Sequence, residues 1–203
     1  MTATAEEGDV LIPVVEQGVE ALLRAALPLR KELGDVSFDA PTGSWSAQLS
    51  RITVDLFLFG LSRSSQPARP TPGRTGQDGR AERRRPLPMI ELNYLVSTYA
   101  GTTRDEHQLL SDVFTCFIVN PALPAEFLPR PLDCTVQLTV APQDHGRAKD
   151  VWSGVGGTLR SSFELVVTAA LEGLPWEAVP PRVERIEALA APIPNRPIPN
   201  GRG

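Results

Sequence analysis

Four segments of the chain alternate apolar and polar residues, and this alternation is the feature that most constrains its fold. They cover residues 51–61, 89–99, 132–140 and 159–169. Successive side chains of a β-strand point to opposite faces of a sheet, so each segment presents one apolar face that must be covered. In the first segment Phe57 and Phe59 interrupt the alternation, which predicts that its far end is covered on both faces.

Two further segments have the spacing of amphipathic helices and can cover that face. The first spans 9–33 and should begin near Leu11 or Ile12, because Pro13 is tolerated only in a first helical turn. The second follows a predicted capping box, with Thr103 as N-cap and Glu106 bonding back to it. Its predicted core stripe is Leu110, Val113, Phe114, Phe117 and Ile118. Together these segments predict an α+β fold, a mostly antiparallel four- to five-stranded sheet packed by two main helices.

Residues 63–88 form a basic segment with no apolar periodicity. Its arginines stand at positions 63, 69, 74, 80, 83, 84 and 85. Against two acidic residues they give a charge of +5, and since the whole chain has a net charge of −4, the remainder carries −9. A segment that buries little apolar surface cannot offset its ordering entropy, so the sequence predicts a disordered loop within a domain spanning 1–173.

Residues 174–203 are predicted to form an extended, proline-rich tail. The stretch 184–190 within it is too short to hold as an isolated helix. We expect this tail to reach a partner, with the basic segment as a second candidate for such a contact. The candidate partner contacts are Arg80, Arg83, Arg84, Arg85, Trp176, Arg182 and Arg185.

The sequence offers little for catalysis or for cofactor binding. His107 and His145 lie far apart with no third ligand at a recognisable spacing, so no metal site is expected. Cys116 and Cys134 are interpreted as buried reduced thiols, with a disulfide as the alternative. No phosphate loop, nucleophile elbow or dinucleotide fingerprint occurs. The sequence therefore predicts no enzyme and no cofactor.

Charge and hydropathy restrict the partners and the compartment. A pI of about 5.3 argues against a general nucleic-acid binder. No apolar run approaches the roughly 20 residues that span a bilayer, so no membrane partner is expected. The beginning of the chain is acidic and carries no basic region of a secretory signal, which favours a cytoplasmic protein.

Several short stretches, taken in their order along residues 10–172, resemble one known family. They are Phe38-Asp-Ala-Pro41, Val54-Asp-Leu-Phe-Leu-Phe59, Pro86-Leu-Pro88, Leu92-Asn-Tyr-Leu-Val96, Asp105-Glu-His-Gln-Leu-Leu110, Trp152 ahead of a Gly-Gly pair, and 159–167. The family is the N-terminal domain of the cap (tail terminator) protein of extracellular contractile injection systems, formerly a domain of unknown function. The chain departs from it in segment 63–88, where the family has a short polar turn, and at Tyr99-Ala100, where a tryptophan is expected.

The resemblance implies a structural role and a set of partners. It implies a fold like that of phage tail terminators, and a ring, a homo-hexamer, that closes the distal end of the sheath and inner tube. The partners would be other copies of the chain, the sheath protein and the inner tube protein. Two alternatives stay open: a small-ligand or regulatory binding domain using a pocket near Trp45 and Trp152, and an enzyme of unrecognised type.

Overall fold

A computed structural model describes residues 11–27, 34–141 and 145–180, with side chains described from 148 onward in the last range. The helices are α1 (Leu11–Ala26), α2 (Gly43–Ser46), α3 (Thr103–Val119) and α4 (His145–Gly154), with a 3-10 turn at Ala125–Phe127. The strands are β1 (Gly34–Ser37), β2 (Ile52–Arg63), β3 (Arg74–Thr75), β4 (Ala81–Arg83), β5 (Met89–Tyr99), β6 (Gln137–Val140), β7 (Ser162–Ala170) and β8 (Glu177–Ala178).

Five of the strands form the main sheet, in the order β1-β2-β5-β7-β6. β1 runs parallel to β2, and the other three pairings are antiparallel. The α+β prediction with a mostly antiparallel sheet is therefore confirmed. All four alternating segments contribute a strand, although only Gln137–Val140 of the segment 132–140 is strand.

The core lies between one face of this sheet and the helices α1 and α3. Val54 and Leu56 of β2 and Leu165 of β7 are at most 1% exposed there, in one cluster with Leu23 of α1 and Phe117 of α3. Burial of an aliphatic side chain of this kind contributes about 1.5–3 kcal/mol, so this two-layer packing is the main source of stability.

β2 is buried on both faces, but at the opposite end from the one predicted. Thr53 and Asp55 are as fully buried as Val54 and Leu56, whereas Phe57 and Phe59 are only partly buried. On the second face, Trp45 of α2 packs against Tyr99, the β5 partner of Thr53 near the start of β2. The two phenylalanines therefore did not mark the doubly covered part of the strand.

The observed helix α3 differs from the predicted one in two details, its N-cap and its buried side. Its N-cap is Thr102, not Thr103: the Thr102 hydroxyl accepts a hydrogen bond from the Asp105 N–H at 3.2 Å. Val113 and Phe117 are buried as predicted, but Phe114 is 41% exposed and Ile118 57% exposed. The side of α3 that faces the sheet is centred on Val113 and Cys116, so the predicted stripe was rotated toward the flank.

α1 agrees with its predicted pattern, with Val15, Val19 and Leu23 buried. It is described from Leu11 and ends at Ala26; residues 28–33 of the predicted range lie outside the described residues.

The prediction of a structureless loop at 63–88 is wrong in this structure. Here β3 and β4 form a hairpin, and β4 also pairs with β8, giving a second, three-stranded sheet. Arg69 and Leu87 exchange two backbone hydrogen bonds of 2.8 Å each. The Leu87 side chain is 0% exposed and packs with Met89 and Ala170 in a small second core. The segment is ordered by contacts with distant parts of the chain, which a local apolar count does not detect.

Candidate assembly surfaces

The β3–β4 hairpin and the residues after it, 74–85, are named here the basic hairpin. The ring of Trp176 lies between two of its guanidinium groups, 4.3 Å from that of Arg74 and 4.7 Å from that of Arg84. Arg84 also pairs with Asp133, and its side chain is only 8% exposed. Cation–π contacts of this kind contribute about 0.5–2 kcal/mol each when partly desolvated. Trp176 therefore fastens the hairpin to the β8 segment.

The candidate partner contacts divide into three groups. Arg84 and Trp176 are brought together inside the subunit. Arg80, Arg83 and Arg85 are exposed on the hairpin; Arg80 lies 3.7 Å from Asp78 and Arg85 3.9 Å from Glu177. Exposed ion pairs of this length contribute little to stability, so these cations stay accessible to another molecule. Arg182 and Arg185 lie outside the described residues.

An open groove lies beside the hairpin, where β2 ends, β5 begins and β7 ends. It has a volume of about 570 Å³. Its wall is mainly apolar, formed by Leu61, Pro86, Pro88, Ile90, Leu171 and Leu174. Leu61 is 61% exposed and Leu171 40% exposed. Arg63 and Arg85 stand at its rim, and no described acidic residue forms an ion pair with Arg63. We refer to it as the arginine-rimmed groove.

The flank of α3 is a second exposed apolar surface. Phe114, Ile118 and Val119 are 41%, 57% and 69% exposed. The Phe114 ring meets Phe163 of β7 edge-on, with 5.3 Å between ring centroids, so one side of this ring is packed and the other is open. Exposed aromatic and aliphatic clusters of this kind mark contact surfaces more often than isolated exposed residues do.

The two edges of the main sheet differ in how they are closed. Beside β6, the Leu123 N–H donates to Val136 O at 2.9 Å and the Leu138 N–H donates to Pro121 O at 2.8 Å. That edge is thus covered by the subunit's own chain. The other edge is β1, only four residues long, which pairs on one side with β2. A short edge strand limits uncontrolled pairing with other chains.

Asp55 is a buried acid at the covered start of β2. It lies in register with Ser37 of β1 and Ser97 of β5, so the three side chains share one face of the sheet. Its carboxyl oxygens make no hydrogen bond, and the nearby Ser37 hydroxyl, which opposes the rise of the Asp55 pKa, donates to Asp39 at 3.0 Å. Burial, and next the negative charge of Asp39, raise the pKa of Asp55 to about 8. The carboxyl is therefore mainly protonated at neutral pH.

The tryptophans proposed for a ligand pocket are used in packing. Trp152 is 2% exposed and donates to the Ser162 hydroxyl at 3.2 Å. The Trp45 ring contacts Tyr99 edge-on at 5.3 Å, and its N–H donates to Asp39 at 3.2 Å. These contacts fix α2 and α4 on the second face of the sheet and do not favour a ligand site.

One polar contact was missed by the sequence analysis. The His107 Nε2 atom lies 3.2 Å from the Ser161 hydroxyl, which residues so far apart in the sequence do not reveal. A nucleophilic serine also needs a carboxylate that orients the histidine. The neighbouring Glu106 instead binds the Arg160 guanidinium at 2.6 Å. Within residues 11–27, 34–141 and 145–180, no group of three or more metal-binding side chains occurs.

No helix among the described residues is long and apolar enough to cross a bilayer. The features that the described surface does present are the basic hairpin, the arginine-rimmed groove and the α3 flank. They are suited to protein contacts, because each combines exposure with apolar or charged side chains on a rigid element.

Comparison with solved structures identifies the fold. One similar structure is the PVC sheath/tube terminator of an extracellular contractile injection system in its extended state, with a TM-score of 0.58 and 22% identity over 88% of this chain and 65% of that chain. Another is the anti-feeding prophage cap, a tube terminating cap, with a TM-score of 0.60 and 18% identity over 87% of this chain and 60% of that chain. The chain thus spans somewhat less than two thirds of the length of these proteins.

Sequence comparison gives the family. The search of curated proteins gave no match. The family model described as the Pvc16 N-terminal domain matches residues 14–185, which takes in both sheets and α1, α3 and α4. This match covers much more than half of the chain, and the chain therefore belongs to the Pvc16 N-terminal domain family.

Proposed function

We propose that the chain is a structural tail terminator, or cap, of a contractile injection system. Six copies form a ring that closes the distal end of the sheath and inner tube, and the protein has no enzymatic activity. The observation that carries this proposal is the family match over residues 14–185, together with a fold shared with a sheath/tube terminator and a tube terminating cap. The protein acts as part of an assembled particle that is built in the cytoplasm.

The exposed surfaces support assembly into a closed ring. A cyclic ring uses a head-to-tail contact, in which two different surfaces of one subunit meet their complements on two neighbours. The arginine-rimmed groove is concave and formed by strand ends, whereas the α3 flank is a helix surface with Phe114 and Ile118 projecting. One subunit therefore carries two unlike apolar surfaces, and each can contact a different neighbour.

The basic hairpin supports contact with a sheath or tube ring. Trp176 and Arg84 hold it against the body of the subunit, which lowers the entropy lost when it binds. Arg80, Arg83 and Arg85 remain exposed and favour an acidic partner surface. Such a contact weakens as salt rises, since exposed charges are screened over about 10 Å at 0.1 M ionic strength. Arg182 and Arg185 of the tail are further candidates for contact with that acidic surface.

Particle length is the property that tests this function. Sheath and tube proteins are assembled with the full chain and, separately, without it, and particle lengths are measured in negative-stain images. With the chain present we expect a narrow length distribution and closed ends; without it, tubes of variable length or sheaths that disassemble. Arg80→Glu/Arg83→Glu should reduce capping more at low salt than at high salt. Equal length distributions with and without the chain would contradict a terminator.

A further inference from the structure

The arginine-rimmed groove has the shape and charge of a peptide site, and the chain contains a segment that matches it. We propose that the groove binds residues 183–189 of a neighbouring copy, so that the tail of each subunit fastens it to the next. This inference rests on the proposed ring and identifies one of its contacts.

The groove presents two kinds of chemistry to an occupant. Exposed Leu61 and Leu171 lie in its apolar wall and would lose contact with water when it is filled. At its rim, Arg63 has no ion pair among the described residues, and Arg85 has only the long contact of 3.9 Å with Glu177. An apolar segment that carries acidic residues satisfies both features.

The sequence of 183–189 has that composition. It reads Val-Glu-Arg-Ile-Glu-Ala-Leu: Val183, Ile186 and Leu189 are apolar, and the two glutamates with the one arginine give a net charge of −1. The apolar residues can fill the groove while the two carboxylates meet the rim arginines. Charged groups that pair at the rim of an apolar contact contribute mainly to specificity and register.

The path of the chain favours a neighbour's groove over its own. β8 runs antiparallel to β4, and the Val179 N–H donates to Ala81 O at 2.8 Å. The chain therefore arrives at Pro180 beside the beginning of β4, next to the hairpin turn. The groove lies beyond the other end of β4, at Arg85 and the residues that follow.

Reaching its own groove would require the tail to reverse direction at once. Arg85, the first groove residue after β4, follows Ala81 by four residues, an extended span of about 13 Å, whereas the three residues from Pro180 to Val183 reach at most about 11 Å. Pro180 and Pro181 also disfavour an immediate reversal, because consecutive prolines prefer an extended chain. A second subunit placed ahead of the hairpin is the more direct recipient.

Charge exchange in the full-length chain tests the pairing. Three variants are compared with the parent: Arg63→Glu/Arg85→Glu in the groove, Glu184→Arg/Glu187→Arg in the tail, and the combination of all four changes. Self-association is measured by sedimentation velocity over a concentration series at low salt, and circular dichroism melting checks that each variant folds. Arg104→Glu/Lys149→Glu, with the same charge change at exposed residues outside the groove and the basic hairpin, is the matched control.

We expect each double exchange to raise the concentration of half-assembly about tenfold or more, and the combined variant to return close to the parent value. The control should assemble like the parent. Double exchanges that assemble normally would overturn the inference and leave the groove to a sheath or tube segment; a combined variant that is not restored would also overturn it, because the exchanged charges then do not meet each other. A parent chain that stays monomeric also overturns it, whereas the particle-length measurement decides the terminator role separately.

Discussion

Replacement of Asp55 by asparagine removes a buried carboxyl whose pKa is raised to about 8, while keeping the size of the side chain. Asp55 is 0% exposed, and its oxygens make no hydrogen bond. Transfer of an ionised carboxylate into such a place is very unfavourable, so the folded protein keeps this group protonated. Asparagine is neutral at every pH, so folding of the variant does not depend on protonation of this side chain.

The sign and size of the effect follow from proton linkage. The unfolded chain releases this proton near pH 3.8, and the folded protein holds it up to about pH 8. Between these values the free energy of unfolding of the parent protein therefore falls as pH rises, by about 1.4 kcal/mol per pH unit from this group. At pH 7 the accumulated loss is about 4 kcal/mol, a large part of the roughly 5–15 kcal/mol of a typical domain.

Denaturant unfolding of the parent and of Asp55→Asn, at pH values from 4 to 9, measures this difference directly. We expect the difference between their free energies of unfolding to be smallest near pH 4. From there up to about pH 8 the variant should become progressively more stable than the parent. Above that the difference should level off. A difference that stays constant from pH 4 to 9 would refute the reasoning, because it would mean that Asp55 ionises in the folded protein as in the unfolded chain.

Three further predictions concern packing. Phe163→Ala should lower the free energy of unfolding by about 3–5 kcal/mol because the ring is 4% exposed, whereas Phe114→Ala, 41% exposed, should lower it much less in the same melts. Gly157→Ala should lower the melting temperature, because a Cβ at this position would lie 2.5 Å from Pro41 O. Gly154→Ala should leave it unchanged, because a Cβ there would have no atom within 4 Å. Equal melting temperatures of the two variants would contradict this prediction. Trp176→Ala should speed tryptic cleavage within 74–85 while the main domain stays folded, and an unchanged cleavage rate would mean that the ring does not hold the hairpin.

Much of the fold could be predicted from the alternation of residue types. The segment 89–99 is β5 residue for residue, because its alternation predicts a strand over its whole length. The same alternation did not show that residues 92–99 are buried on both faces of the sheet. α3 was found, but its buried side was misassigned: five apolar residues offered more than one stripe, and Phe114 and Ile118 occupy the flank. Only the packing against the sheet decides between such stripes.

The surfaces were harder to predict, since they depend on contacts between distant parts of the chain. Arg84 was expected to contact a partner, and the sequence did not show that Trp176 and Asp133, residues far along the chain, also contact it. Asp55 looked like an outward residue of an alternating strand, because periodicity does not show that α2 and its flanking segment cover the second face. The groove joins the ends of three strands and has no local sequence pattern.

The position of the chain within an assembled particle tests the central claim most directly. Gold labelling of a tagged full-length chain, viewed in negative-stain images of particles that contain sheath and inner tube, gives that position. The account predicts label at one end only, on a ring with six-fold symmetry in end-on views. Label along the length of the sheath, at the opposite end, or absent from particles altogether would contradict it.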